Sequence, residues 1–247
     1  MQLVSRNLIL REFGHDLDLI RNDLVATRLR AGQVIDEPGE EIRNIYFLAE
    51  GVVSKFTVFE SGQEVECVLV GRNSAVSGLS AFGFSTALTR NVSIFDAQAW
   101  SIPRQRLAWA CRQSPRIARA VSRCGQDQMR YAIRVGACSA LHGIEQRLSR
   151  WLLSCSTLLE RQDIGLAQEL FARVLGAQRS SINPMLQRFQ ADGLIALGRS
   201  RLTIVDREGL QRRACECYAA LELRECGAAH APEAGPARPG IAFPASG

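Results

Sequence analysis

Lysine is nearly missing from this chain. Lys55 stands alone, and arginine supplies the rest of the 30 basic residues. Arginine forks suit phosphate and guanine, but a GC-rich coding bias gives the same skew and is the simpler account. Long apolar runs are missing too. None approaches the ~20 residues of a membrane span, so no membrane partner is expected. The N-terminus lacks a basic stretch, an apolar core and a small-residue cleavage site, which points to the cytoplasm. There the eight cysteines are expected as thiols rather than disulfides. Catalytic signatures are absent as well: no Gly-rich phosphate loop, no HExxH, no GxSxG, no histidines clustered with carboxylates. An enzyme is therefore disfavoured, and no cofactor is identified. Three histidines, His15, His142 and His230, form no visible constellation, and no metal ligand set is expected.

What remains is well patterned. The 247 residues suffice for two domains with a core each. A hydrophobic share of 47% and a charged share of 22% are those of a globular protein. The formal charge of +5 permits a polyanionic partner without requiring one. Residues 1 to about 24 read as a helical lead-in. From Val25 to Ile102, apolar and polar residues alternate in short runs between turn signals such as Pro38-Gly39 and Ser61-Gly62. Many short strands at such spacing suggest a sandwich, barrel or jelly roll.

A short helix is expected over Pro103–Gln113, and Pro115 suits the first turn of a longer one. In that longer helix Ile117, Val121, Cys124, Gln128, Tyr131, Val135 and Cys138 follow a 4-3-4-3-4-3 spacing. Such a seam pairs with another helix, and one polar member, here Gln128, would set register. Packing on the chain's own β domain is the alternative. A homodimer through this seam is the expectation. A further helix over Ile144–Leu159 presents Leu148, Trp151, Leu152, Cys155 and Leu159 on one face. Beyond Cys226, Pro, Gly and Ala dominate, and a disordered tail is expected.

The segment from Leu166 to Val205 carries the chemistry. Leu170, Val174 and Leu175 form the apolar stripe of a first helix, with small Ala172 allowing close approach, and Gly176-Ala177 supplies a turn. A second helix, about 178–191, places Ile182, Leu186 and Phe189 on one face. Its other face carries Gln178, Arg179, Ser180, Ser181, Asn183 and Arg188. Two strands follow around Gly198-Arg199-Ser200, with Arg201 opening the second. This is a winged helix-turn-helix whose second helix fits a DNA major groove. Its polar side chains donate and accept as base edges require. Between residues 166 and 201, five arginines (Arg173, Arg179, Arg188, Arg199 and Arg201) face only Glu169 and Asp192.

This order of parts resembles the Crp/Fnr family of bacterial transcription regulators over residues 20–226. In the β region the resemblance rests on Gly32, Pro38-Gly39, Tyr46-Phe47-Leu48, Gly51 and Gly62. In the C-terminal region it rests on Gln168-Glu169, Ala172, Leu175-Gly176, Arg179, Ile182, Leu186, Gly193-Leu194-Ile195 and the wing. It implies an α+β chain. The N-terminal part would be a double-stranded β-helix (jelly-roll, cyclic-nucleotide-binding-like) effector domain in 1–112. A dimerisation helix in 113–141, the winged helix-turn-helix in 142–226 and the tail in 227–247 would follow. The implied partners are double-stranded DNA with an inverted repeat, a second copy of the chain, and RNA polymerase.

The resemblance places Arg179 where relatives read a guanine, a pair that contributes ~1–3 kcal/mol of discrimination. Ser180 and Pro184 stand where relatives often have Glu and Arg, so the family's half-site is not carried over. Pro184 predicts a kink or a late helix start. Ala167 replaces a capping Thr or Ser, which costs ~1 kcal/mol unless another group substitutes. In the effector domain Gly78 matches a cyclic-nucleotide site, but Leu79 stands at the ribose-binding Glu position. Arg90 is either a phosphate contact or, the favoured reading, a solvated loop arginine. Cyclic AMP or cyclic GMP in the usual mode is disfavoured, and another small-molecule effector stays open. The first cysteine is Cys67, which does not fit an N-terminal iron–sulfur cluster. Cys215 and Cys217, with Cys226 beyond, are a weak metal signal and read as packed thiols, with a redox switch as the alternative. A regulator of transcription is the leading function. The competing readings are a dimeric β-roll interaction module with degenerate DNA binding and a redox-responsive regulator using thiols.

Overall fold

The computed structural model describes residues 6–165, 168–199 and 201–221. Leu166, Ala167, Ser200, Cys226 and the expected tail lie outside the described residues, as do the side chains of Gln168, Glu169 and Arg179. The lead-in opens with helix α1 (Leu8–Phe13). Asn7 caps it, accepting from the Leu10 amide at 3.1 Å, while its own amide donates to Leu48 O and Ser74 O at 2.9 and 3.0 Å. Ile9, Leu10 and Phe13 are buried, and Phe13 meets Phe47 edge-on with centroids 5.9 Å apart.

Eight strands follow: β1 (Val25–Leu29), β2 (Val34–Asp36), β3 (Asn44–Glu50), β4 (Val53–Val58), β5 (Glu64–Val70), β6 (Ala75–Val76), β7 (Arg90–Ser93) and β8 (Ala97–Pro103). They form two four-stranded sheets in the orders β1-β8-β3-β6 and β2-β7-β4-β5, every pair antiparallel. Along the chain the strands pass from one sheet to the other at every step but one, the β4–β5 hairpin within a single sheet, as in a jelly roll. Gly51 turns β3 into β4 at φ +88°, and a Cβ there would lie 2.4 Å from that of Ala97. Only glycine fits both conditions.

Helix α2 (Arg104–Gln113) leads to α3 (Pro115–Leu141), which Ser114 caps by accepting from the Ile117 amide at 3.1 Å. Its 27 residues span about 40 Å. The 4-3-4 seam is where its spacing puts it, but its partner corrects the expectation. Ile117, Val121, Cys124, Tyr131, Val135 and Cys138 are all buried within this single chain. Gln128 is spent internally as well. Its Nε2 donates to Ala75 O and Ser74 Oγ, each at 2.8 Å, and its Oε1 accepts from Lys55 Nζ at 2.7 Å. The seam is therefore not the face that a second helix would meet. The free face carries Ser122, Gln126, Met129, Ile133, Gly136 and Leu141, with Met129, Ile133 and Leu141 59%, 66% and 79% exposed.

The remainder comprises α4 (Ile144–Leu159), β9 (Asp163–Ile164), α5 (Gln168–Leu175), α6 (Arg179–Ala191), β10 (Ile195–Gly198), β11 (Arg201–Ile204), α7 (Arg207–Arg213) and α8 (Cys217–Leu221). One continuous apolar cluster runs from Val53, Phe56 and Val68 in the β region through Tyr131 and Trp151 to Phe189 and Leu202. A second cluster joins α1, α2 and the first half of α3 to Phe47 and Ile102. Gly71 shows how closely the parts meet: a Cβ there would lie 2.3 Å from Leu158 of α4.

Candidate nucleic-acid interface

Helices α5 and α6 are joined by Gly176, at φ +58°. The stripe of α5 that turns inward is Phe171, Val174 and Leu175, with Leu170 only half-buried. Phe171 meets Trp151 edge-on at 5.7 Å. This aromatic anchor was absent from the sequence-predicted stripe, although its i, i+3, i+4 relation to Val174 and Leu175 was there to be read. Ile182, Leu186 and Phe189 form the buried back of α6, at most 1% exposed. Its front carries Gln178, Ser180, Ser181, Asn183, Gln187 and Arg188, all exposed. Gln178 occupies the N-cap position without spending its side chain on a cap. Arg188 is 64% exposed beside Glu145 and Asp192. The side chain of Arg179 lies outside the described residues. Helix α6 begins at Arg179 and runs through Pro184, so a late start is not what the chain adopts. The proline leaves the Ser180 carbonyl without its donor.

The wing forms as expected. Strands β10 and β11 pair antiparallel from Ile195↔Ile204 to Gly198↔Arg201, and β9 adds a third strand through Leu202↔Ile164. Two residues of strand were too short a run to be legible in the sequence. Arg199 is exposed at the wing tip, and Arg201, 66% exposed, pairs with Asp163 at 2.8 Å. Arg173 does not join this surface. Its Nε donates to Glu64 of β5 at 2.6 Å, and its guanidinium lies 4.9 Å from the Phe56 ring centroid. One helix face and one adjoining hairpin thus gather the predicted contact residues whose side chains are described. The chemistry they offer is paired donors and acceptors for base edges, with cations at the flank for phosphate.

Two family models cover the two halves: a cyclic nucleotide-binding domain matches residues 26–114, and a Crp-like helix-turn-helix domain matches residues 146–213. The chain belongs to the Crp/Fnr family of transcription regulators. It is 23% identical to the global nitrogen regulator of Synechococcus elongatus over 85% of this chain and 99% of that one. It is 25% identical to the regulatory protein HlyX of Actinobacillus pleuropneumoniae over 77% and 82%. A solved CRP-family regulator from Thermus thermophilus superposes with TM-score 0.65 at 21% identity, covering 76% of this chain and 96% of the other. This is a family of transcription regulators rather than enzymes. No described helix is long and apolar enough to cross a membrane.

In this Crp/Fnr regulator the effector-domain residues are placed as follows. Gly78 is buried against Ala75 at the start of a short 3-10 turn. Arg90 is not a solvated loop residue: its Nε donates to Glu37 at 2.8 Å and its Nη1 to Glu64. Their chain neighbours Ser77 and Asn91 meet at Asp36, donating to Oδ2 at 2.7 and 2.6 Å. Strand β5 then connects this region to the DNA-binding half. Glu64 bridges Arg90 and Arg173. Two residues on, Glu66 is 2% exposed, accepting from Ser54 Oγ and, at 3.0 Å, from Trp151 Nε1. Burial pushes its carboxyl up to about 7, against the opposing pull of Ser54, Trp151 and Arg150. Sequence patterning gave no sign of this pair of carboxylates, because period-two alternation shows only which side of a strand a residue takes.

Proposed function

We propose that this Crp/Fnr regulator binds DNA as a homodimer, with α6 of each copy in successive major grooves of an inverted repeat. The single observation behind this reading is the division of α6: an apolar back locked to the core, and a front of exposed Gln, Ser, Asn and Arg. Arg199 and Arg201 of the wing supply phosphate contacts. The dimer forms through the free face of α3. Leu79, itself 44% exposed, lies over Gly125 of that helix, so the apolar strip of Met129 and Ile133 continues onto the β domain. A second copy related by a two-fold axis would cover both.

A signal at the β domain modulates DNA binding, and strand β5 transmits it through Glu64–Arg173 and Glu66–Trp151. Cyclic AMP or cyclic GMP in the usual mode is not that signal in our reading. Leu79 replaces the ribose-binding carboxylate, and Arg90 is already held by Glu37 and Glu64. RNA polymerase is the proposed partner on the promoter. The test is selection of random duplexes on the purified, reduced chain at fixed salt without added ligand. Enrichment of an inverted repeat with half-sites about 34–36 Å apart supports the proposal. Salt-sensitive binding with no enriched motif overturns sequence-specific recognition by the ligand-free protein.

A further inference from the structure

The end of α3 and the chain beyond the wing converge on a group that the regulator's DNA-binding surface does not use. Cys138 lies in the last turn of α3 and His142 just after it. Cys215 lies between α7 and α8 and Cys217 opens α8, more than seventy residues on. Their ligand atoms all lie within 4.8 Å of one another. The three thiols form a small cluster of their own, at most 4% exposed. Cys138 Sγ and Cys215 Sγ are 3.5 Å apart, and Cys217 Sγ is 3.8 Å from His142 Nδ1. A tetrahedral ion with Zn–S of ~2.3 Å and Zn–N of ~2.0 Å sets its ligands about 3.5–3.8 Å apart. The Cys138–Cys215 and Cys217–His142 separations fall in that range, and with all four ligand atoms within 4.8 Å of one another a small inward shift of the side chains closes the tetrahedron.

The geometry points to a closed Cys3His site for zinc, formed by Cys138, His142, Cys215 and Cys217. Two further observations favour a metal over a packed thiol cluster. His142 turns Nδ1 toward the thiols while its Nε2 faces Glu216 Oε2 at 3.2 Å. A carboxylate on the far ring nitrogen fixes the tautomer that leaves Nδ1 free to ligate. The second is the surrounding charge. Arg150 is 3% exposed, and its Nε and Nη1 have no well-aligned acceptor among the described residues; Arg147 Nε is in the same position. Both arginines lie within Coulombic reach of Cys138 and Cys215. On binding, a divalent zinc ion displaces three thiol protons, and the site acquires one net negative charge. That charge sits close to two buried guanidiniums, of which Arg150 otherwise has the Glu66 carboxyl as its nearby acidic group.

Four protein ligands leave no open position, so the site is structural. It ties the last turn of the long helix to the segment that closes the DNA-binding domain, at the joint where one passes into the other. If that domain reads DNA as proposed above, zinc fixes the angle at which α6 is presented. The test reads metal directly and does not depend on DNA binding. The full chain, purified reduced and without chelator, should contain about one zinc by mass spectrometry. Cobalt exchanged into it should show the intense visible bands of a tetrahedral thiolate site. Cys138→Ser and Cys217→Ser should lose the metal, and Cys111→Ser should keep it. Because the cysteine variants risk misfolding, Glu216→Gln is the second probe: all four ligands remain, and zinc should bind ~10–100-fold more weakly in chelator competition. A reduced, folded chain that takes up neither stoichiometric zinc nor cobalt overturns the site. Recovery of a Cys138–Cys215 disulfide from freshly isolated protein also overturns it, in favour of redox chemistry.

Discussion

Glu66 offers the sharpest test of how the two halves are joined. It sits on β5 with its carboxyl under Trp151 of α4, and Arg150, Tyr131, Cys155 and Cys67 are titratable groups around it among the described residues. Burial raises its carboxyl from the ordinary 4.5 to about 7. In the unfolded chain Glu66 ionises near 4.5, while the folded chain keeps its proton until about 7. The advantage of the neutral buried form is therefore complete below the unfolded value and is lost as pH rises through the folded one. At ~1.4 kcal/mol per pH unit of displacement, full ionisation costs the folded state about 3 kcal/mol. About 2–3 kcal/mol of this falls between pH 5 and pH 8. Glu66→Gln keeps an oxygen for Trp151 Nε1 and cannot ionise. Urea unfolding of the two proteins at pH 5 and pH 8 isolates the term. The variant should gain about 2–3 kcal/mol on wild type between these pH values, with all other titrations cancelling. Parallel stability curves would refute the reasoning. They would mean that water or Arg150 holds the carboxylate charged in the folded state. The same ionisation should loosen the seat of Trp151 on the β domain, read as faster hydrogen exchange in α4 and α5 above pH 7.

The other predictions concern DNA, assembly and one turn. Arg179→Ala should lose ~1–3 kcal/mol of discrimination at one base position. Arg201→Ala should weaken binding evenly and lower the salt slope by about 1; identical effects in binding titrations would undo the assignment of reader and wing. Ile133→Glu, at the free face of α3, should weaken self-association ~100-fold or more, since an unpaired buried charge costs several kcal/mol. Sedimentation equilibrium checks it, and an unchanged dimer would place the interface elsewhere. Gly176→Ala should destabilise the helix-turn-helix by ~1–2 kcal/mol, the cost of a side chain in the left-handed region. A new Cβ would also lie 2.9 Å from Val65. Thermal unfolding equal to wild type would show that the turn adjusts freely.

The helix-turn-helix was legible because its signals are local. Gly176 marks the turn, Ile182, Leu186 and Phe189 mark the inner face, and the polar front is what remains. The jelly roll was legible as a class, from alternation punctuated by turn residues. The role of α3 was misread for a definite reason. A 4-3-4 apolar spacing identifies a face that must be covered but carries nothing about what covers it. Here strands of the same chain do, and Gln128 satisfies Ser74, Ala75 and Lys55 instead of a partner helix. Arg90 and Arg173 were counted as available cations because charge patterning cannot see that Glu64 takes both.

Periodicity, turn chemistry and caps are properties of neighbours in the chain. They were enough to give the order of parts, the family, and the helix proposed to face DNA. Glu66 under Trp151, Glu64 on Arg173, Cys138 beside Cys215 and His142 beside Cys217 join residues 75 to 109 positions apart. No local rule relates such residues. They meet because burying the apolar faces of β5, α3 and α4 in one cluster leaves a single close-packed arrangement, and their polar groups are carried to one another by it.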